Sequence, residues 1–282
     1  MPGRVSVSDL QKKKEQGRKI TMVTSYGYSF AKLVDACGMD VILIGDSVAN
    51  VVMGLKTTRT VTVDEMVHHA AAVNRGVARS LVAADLPFSA VQGGPEMVLE
   101  AARRLLNTGC DAVKIEWCDG CLEMIDRLRR EDIAVMGHVG LTPQTAEETG
   151  GFKVRGKTAE AAHEIYQRAL EQQTHGCFAV VLECIPDRVA SVITKKLRVP
   201  TIGIGAGKEC DGQVLVLDDL LGLFEDYHPK FAKRYAQLAL ETKRAVTAYI
   251  HDVSSASFPA KEHSFSIGDE DFEGFLGRIT SA

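Results

Sequence analysis

The sequence predicts a (β/α)8 barrel, the TIM-barrel class, with a capping helix ahead of the first strand and extra helices after the last. Three observations predict it. Short, almost wholly apolar, β-type runs recur eight times, as strands buried on both faces should. The stretches between them carry helix start and stop signals. The chain has 282 residues, close to the roughly 250 that one such barrel takes. Residues 1–282 are therefore read as a single barrel domain, with a tail from about residue 252.

The elements follow in order. Ser8-Asp9-Leu10-Gln11 is read as the cap of the first helix. The eight strand runs are ITMVT (20–24), VILIG (41–45), SLVAAD (80–85), AVKIE (112–116), IAVMGH (133–138), FAVVLE (178–183), PTIGIG (200–205) and QVLVL (213–217). Thr62 and Glu65 form a capping-box pattern ahead of an apolar-periodic stretch. A second helix opens at Pro95 and closes at Gly109, and a third spans AEAAHEIYQRALEQQTHG (159–176). From about residue 229 the chain reads as further helix and then a Gly/Ser-containing tail.

Composition excludes several function classes. A net charge of -4 without a basic run argues against a nucleic-acid partner, and Lys12-Lys13-Lys14 reads as a solvated face. No apolar run approaches the roughly 20 residues of a membrane span, and the N-terminal stretch lacks signal-peptide features. A cytoplasmic location is expected. There are seven cysteines, an odd number, and most are expected to be free, small, buried residues. Trp117-Cys118-Asp119-Gly120-Cys121 has the outline of a redox or zinc motif. No second CxxC or HxxxH accompanies it, so it is read as the turn and helix start after the fourth strand. Gly203 to Gly207 (GIGAG) is read as a tight turn rather than a phosphate cradle.

The fold class supplies a functional rule, since such barrels work at the C-terminal ends of their strands. There the second strand ends in Gly45-Asp46-Ser47, the third in Asp85, the fourth in Lys114-Ile115-Glu116, the fifth in His138 and the sixth in Glu183. Five neighbouring strands thus deliver ionisable groups to one rim. Lys114 and Glu116 have the same parity and share a face. Asp46, Asp85 and Glu116 make a hard oxygen set suited to Mg2+. A 2-oxo acid chelated there would have its ketone polarised, with Lys114 adding positive charge and Glu183 or His138 moving the C3 proton.

With these residues the chain resembles the ketopantoate (3-methyl-2-oxobutanoate) hydroxymethyltransferase family of the phosphoenolpyruvate mutase/isocitrate lyase superfamily. The matching stretches include ILIGDSV (42–48), TVTVDEMVHHAAAV (60–73), ADLPF (84–88), AVKIE (112–116), GHVGLTPQ (137–144), GGFKVRGK (150–157), VLECIP (181–186) and FPAKEHSF (258–265). The resemblance implies Mg2+, one per subunit, on Asp46, Asp85 and Glu116. It implies oxo-acid contacts from Asp46, Ser47, Asp85, Lys114 and His138, with Glu183 as the proton acceptor. It also implies 5,10-methylenetetrahydrofolate as one-carbon donor, 2-dehydropantoate as product on the way to pantothenate, and a homo-oligomer, commonly a decamer. The chain departs from the family pattern at Val48-Ala49-Asn50, Leu55-Lys56-Thr57-Thr58 and Trp117-Cys118-Asp119, all beside the rim. A divergent relative acting on another 2-oxo acid, by hydroxymethylation or C–C cleavage, is the alternative reading.

Overall fold

A computed structural model describes residues 3–146 and 153–280. The chain forms two compact units, one up to Tyr235 and one from Ala236 onward. The first contains eight parallel strands closed into a barrel in sequence order, β8 pairing with β1. They are β1 (Ile20–Thr24), β2 (Val41–Ile44), β3 (Leu81–Asp85), β4 (Ala112–Glu116), β5 (Val135–Gly140), β6 (Ala179–Glu183), β7 (Thr201–Ile204) and β8 (Gly212–Leu215). The helices are α1 (Val7–Glu15), α2 (Tyr28–Ala36), the short α3 (Val48–Val51), α4 (Val63–Gly76), α5 (Phe88–Gln92), α6 (Pro95–Leu106), α7 (Cys121–Arg129), α8 (Ala159–Thr174), α9 (Asp187–Lys196) and α10 (Leu217–Leu221). Among the described residues no helix is long and apolar enough to cross a membrane.

Period-2 alternation sorts each strand into two faces. The inward set includes Ile20, Met22, Val41, Leu43, Leu81, Ala83, Ala112, Met136, Ala179 and Val181, which pack together along the axis. The alternate residues, such as Ile42, Ile44, Val82, Val113 and Ile115, face outward into a second apolar cluster shared with the helices. The capping box at α4 forms as read: Glu65 N–H donates to Thr62 Oγ1 at 3.2 Å and Thr62 N–H donates to Glu65 Oε2 at 2.7 Å.

Four expectations are corrected. The cap of α1 is Ser6, which accepts from Asp9 N–H at 3.3 Å, and Ser8 lies inside the helix. β5 runs two residues past His138, to Gly140, because Gly140 at φ +100° allows a chain path that brings its backbone against Glu183. β8 stops at Leu215, and Leu217 already begins α10. The Lys12–Lys14 cluster is only partly solvated. Lys13 Nζ is 2.5 Å from Asp40 and Lys14 Nζ is 2.6 Å from Asp211. These two aspartates also accept the N–H groups of Thr21 and Thr201, each at 2.9 Å. α1 is thereby latched to the N-terminal ends of two strands, and its Leu10 joins the inward cluster as a plug.

All seven cysteines are free. Cys118 and Cys121 lie in the turn after β4 and at the start of α7, where Cys121 N–H donates to Cys118 O at 3.1 Å. Trp117 packs against outer core clusters, with the Arg168 guanidinium 5.3 Å from its ring centroid. Gly205 and Gly207 both have positive φ, as the tight turn after β7 requires.

The second unit carries α11 (Leu238–Ser254) and α12 (Asp269–Thr280). Residues 229–237 are not helical, and α11 spans the position at which the sequence reading begins a tail. Phe258 packs edge-on against Tyr249 with ring centroids 5.8 Å apart.

Leu10 is 1% exposed, so Leu10→Ala removes buried surface at the end of the barrel remote from the rim. The expected cost is about 2–5 kcal/mol, read as a lower midpoint in chemical denaturation with turnover of the folded fraction retained. A loss below about 0.5 kcal/mol, the range of ordinary surface substitutions, would show that α1 does not plug the barrel.

Candidate active site

The inward parity that fills the barrel with apolar side chains ends at the C-terminal rim in ionisable ones. β3 presents Leu81, Ala83 and then Asp85. β4 presents Ala112, Lys114 and Glu116, β5 Met136 and His138, and β6 Ala179, Val181 and Glu183. The register sets Asp85 beside Lys114, Glu116 beside His138, and Gly140 beside Glu183. Asp46 arrives differently. β2 ends at Ile44, and the turn after it brings Asp46 N–H to Asp85 Oδ2 at 3.0 Å. The structure therefore gathers Asp46, Asp85, Lys114, Glu116 and His138 in one buried cluster, with Glu183 at its edge.

Lys114 Nζ lies 3.0 Å from Asp85 Oδ1 and 3.2 Å from His138 Nδ1. An ammonium only donates, so Nδ1 must accept, and the ring proton is assigned to Nε2. Nε2 lies 3.2 Å from Glu183 Oε2, without the alignment of a full hydrogen bond. Glu116 Oε1 is 3.6 Å from His138 Nδ1, too far for a hydrogen bond. The Glu183 side chain keeps 15% exposure against 2% for His138, so Glu183 is the member that reaches the mouth. Ser47 stands beside the cluster, its Oγ 2.7 Å from Tyr26 OH.

Burial dominates the electrostatics. It pulls His138 well below its ordinary pKa, the Lys114 charge adding to the effect, so the imidazole is neutral. It pushes Glu183 up to about 7 while Lys114 pulls the other way. It raises Asp85 to about 6 against the pull of Lys114, with Asp46 adding to the rise, and it raises Glu116 well above the ordinary range, again with Asp46 adding. Burial also opposes the charge on Lys114, but Asp85, Glu116 and Asp46 outweigh it and keep the ammonium protonated. Four carboxyl groups thus surround one ammonium, an excess of negative charge that protons or a cation must balance.

The donors suit a hard cation. Among the described residues no three Asp, Glu, His or Cys side chains form a preassembled metal cage. Glu116 Oε1 is nevertheless a buried oxygen without a hydrogen bond, and Asp85 Oδ1, also buried, meets only the Lys114 ammonium at 3.0 Å. Such a partial oxygen set fits Mg2+, which takes its remaining ligands from substrate and water.

Sequence reasoning missed Gln144, although it closes the GHVGLTPQ stretch. It is buried in the 3-10 turn Pro143–Thr145 after β5. Its backbone N–H donates to Glu116 Oε2 at 3.0 Å, and its Nε2 donates to Asp46 Oδ2 at 2.9 Å and to Leu86 O at 3.1 Å. The signal was weak, because glutamine in a loop carries no charge to flag it. Of GGFKVRGK (150–157), residues 150–152 lie outside the described residues. Two of the departing loops fold onto each other. Val48 and Ala49 are fully buried in α3, and Asn50 Nδ2 donates to Leu55 O at 2.9 Å.

Comparison with known proteins identifies relatives of nearly the whole chain. A family model described as ketopantoate hydroxymethyltransferase matches residues 4–261. The 3-methyl-2-oxobutanoate hydroxymethyltransferase of Nitratidesulfovibrio vulgaris (strain DP4) is 47% identical over 276 residues, covering 98% of this chain and 90% of that protein. The protein of the same name from Caldicellulosiruptor bescii is 45% identical over 262 residues, covering 93% and 99%. Among solved structures, a phosphonopyruvate hydrolase complex with oxalate and Mg++ has a TM-score of 0.61 at 13% identity, covering 91% of this chain and 92% of that one. A 2,3-dimethylmalate lyase, a PEP mutase/isocitrate lyase superfamily member, has a TM-score of 0.57 at 15% identity, covering 97% and 98%. The two structures share the fold, and the two sequence relatives share most of the chain. By that match over nearly its whole length, this chain belongs to the ketopantoate hydroxymethyltransferase family.

Proposed function

We propose that this chain transfers a hydroxymethyl group, with Mg2+, from 5,10-methylenetetrahydrofolate to 3-methyl-2-oxobutanoate, giving 2-dehydropantoate for pantothenate biosynthesis. The observation that carries this reading is the chain of contacts Asp85–Lys114–His138–Glu183 set among excess buried carboxylates. Family membership supports the substrate. The protein is proposed to work in the cytoplasm as a homo-oligomer, a decamer by family resemblance.

Asp46, Asp85 and Glu116 would hold the ion. When bound, it supplies Lewis-acid polarisation of the substrate ketone and stabilises enolate charge. Asp46, Ser47, Asp85, Lys114 and His138 contact the oxo acid. Lys114, kept protonated by its carboxylate neighbours, offers fixed positive charge where the ketone oxygen becomes anionic. Neutral His138 brings its protonated Nε2 to 3.2 Å from Glu183 Oε2. Glu183, at the mouth, takes the proton from C3. The C3–H bond breaks, its electron pair enters the enolate, and C3 then bonds to the methylene carbon. In the balance, both C–N bonds of the methylene bridge break, one water supplies the hydroxyl group, and its other hydrogen and the proton taken from C3 return to the two nitrogens as tetrahydrofolate departs.

A second reading keeps the enolisation and changes the oxo acid. What favours it is the change of sequence in the segments that follow β2 and β4, where Val48, Ala49 and Trp117 stand in place of the family's usual residues and pack into the outer core just behind the rim. A panel of 2-oxo acids with Mg2+, with and without methylenetetrahydrofolate, read by mass spectrometry, separates the two. Exclusive turnover of 3-methyl-2-oxobutanoate supports the first.

Glu183→Gln keeps the shape of the side chain and removes its ability to accept a proton. Exchange of the C3 proton of 3-methyl-2-oxobutanoate in D2O, followed by NMR with Mg2+ and no folate, is expected to fall by roughly 10² to 10⁴. With the Glu183 pKa raised to about 7, the base form is depleted below that pH and fills above it. Wild-type exchange is therefore expected to rise with pH and level off above about 7. Persistence of exchange in Glu183→Gln with loss in His138→Asn would reassign the base to His138.

Chelation by EDTA is expected to stop exchange, and added Mg2+ to restore it. Asp85→Asn and Glu116→Gln keep side-chain volume and remove a charged oxygen donor, so each is expected to lower turnover on the order of 100-fold or more. Wild-type turnover in either variant would remove that residue from the metal set.

A further inference from the structure

We infer that Gln144 is a positioning residue, holding Asp46 and Glu116 with one oxygen of each tied down and the other free for a divalent cation. The inference rests on the metal reading proposed above and assigns a function to a side chain outside that ion's ligand set.

The argument starts from the donors. Each of the three carboxylates has one oxygen bound by a protein N–H. Asp85 Oδ2 accepts from Asp46 N–H at 3.0 Å, Asp46 Oδ2 from Gln144 Nε2 at 2.9 Å, and Glu116 Oε2 from Gln144 N–H at 3.0 Å. Two of the three ties come from Gln144. Of the remaining oxygens, Glu116 Oε1 is buried without a hydrogen bond, while Asp85 Oδ1 faces the Lys114 ammonium at 3.0 Å. An incidental turn contact would have no reason to sort the oxygens in this way.

The orientation of the amide follows from its surroundings. Asp46 Oδ2 and Leu86 O are both acceptors, so the NH2 end must face them, and both of its hydrogens are then used. Through these bonds one residue, in the turn after β5, fastens the chain ends of β2, β3 and β4. The choice of a neutral donor matters. A lysine or arginine there would cancel the negative charge that attracts the cation, as Lys114 already does in part. An amide fixes the geometry of the carboxylates and leaves their charge in place. Outer partners of metal ligands act in this way, and their loss typically weakens metal affinity about 10- to 100-fold.

The test uses full-length protein and Mn2+ as the probe ion, without oxo acid or folate, with binding followed by electron paramagnetic resonance. Gln144→Met conserves length and volume, keeps the backbone donor to Glu116 and deletes the donor to Asp46. It is expected to weaken Mn2+ binding by roughly 10-fold or more, with near-UV circular dichroism and the melting temperature in EDTA close to wild type. In turnover it should raise the Mg2+ concentration for half-maximal rate, with kcat largely recovered at saturating Mg2+. A strut that served only the fold would not move that split. Gln144→Asn, whose amide falls short of Asp46, is the second variant and is expected to weaken binding likewise. Wild-type Mn2+ affinity in a folded variant would overturn the inference, and so would loss of the fold in both variants. Wild-type protein that binds no Mn2+, or binds it equally well as Glu116→Gln, would instead overturn the metal reading and this inference with it.

Discussion

Closing eight parallel strands into a barrel leaves each strand residue facing either the axis or the helices, and almost everything else in this protein follows from that constraint. The axial positions of β3, β4, β5 and β6 are apolar at their N-terminal ends and ionisable at their C-terminal ends. A single alternation therefore builds both the packed interior and the rim above it. Neighbouring strands then convert parity into proximity, because the register sets Asp85 beside Lys114 and Glu116 beside His138.

The rim is electrostatically unfinished by itself. Burying a carboxyl group is costly, and here burial raises Asp85, Glu116 and Glu183 together while one ammonium answers them. Lys114 contributes by contact with Asp85 and by donating to His138, and that donation fixes which ring nitrogen carries the proton. Its influence therefore extends beyond its charge. Burial keeps the histidine neutral, with the Lys114 charge adding to the effect, and the protonated Nε2 lies 3.2 Å from Glu183, the carboxyl group with the most access to the mouth. A cation in the carboxylate set would complete a balance that the protein leaves open.

The opposite end of the barrel meets the same problem with the opposite solution. There Asp40 and Asp211 are each paired with a lysine of α1 and each bind a strand N–H, so charge is matched where only stability is at stake. Leu10 fills the space beneath the axial residues. The contrast between matched charge at the closed end and unmatched charge at the open end is consistent with the distribution of function in this fold, whose active sites sit at the C-terminal ends of the strands.

The eight strands, their order, the capping box at Thr62 and Glu65, and the rim residues on β3 to β6 were all legible in the sequence. Their signals are local: apolar runs, turn residues and period-2 parity are set within a few residues of each other. The match of ordered stretches to a known family was legible too. What only the tertiary structure decided involves partners distant along the chain. Gln144 reaches Asp46 across 98 positions, and Lys14 reaches Asp211 across 197. The pairing of Lys13 and Lys14 could not be read from a basic cluster, because a lysine looks solvated until a buried aspartate is brought to it. The extension of β5 to Gly140 and the tying of one oxygen each of Asp46 and Glu116 by Gln144 are likewise products of closure, whereas the Ser6 cap is a local pairing with Asp9 three residues on. Local pattern determined which residues reach the rim. Hydrogen bonds between chain ends, which form only when the barrel closes, decided how those residues are held.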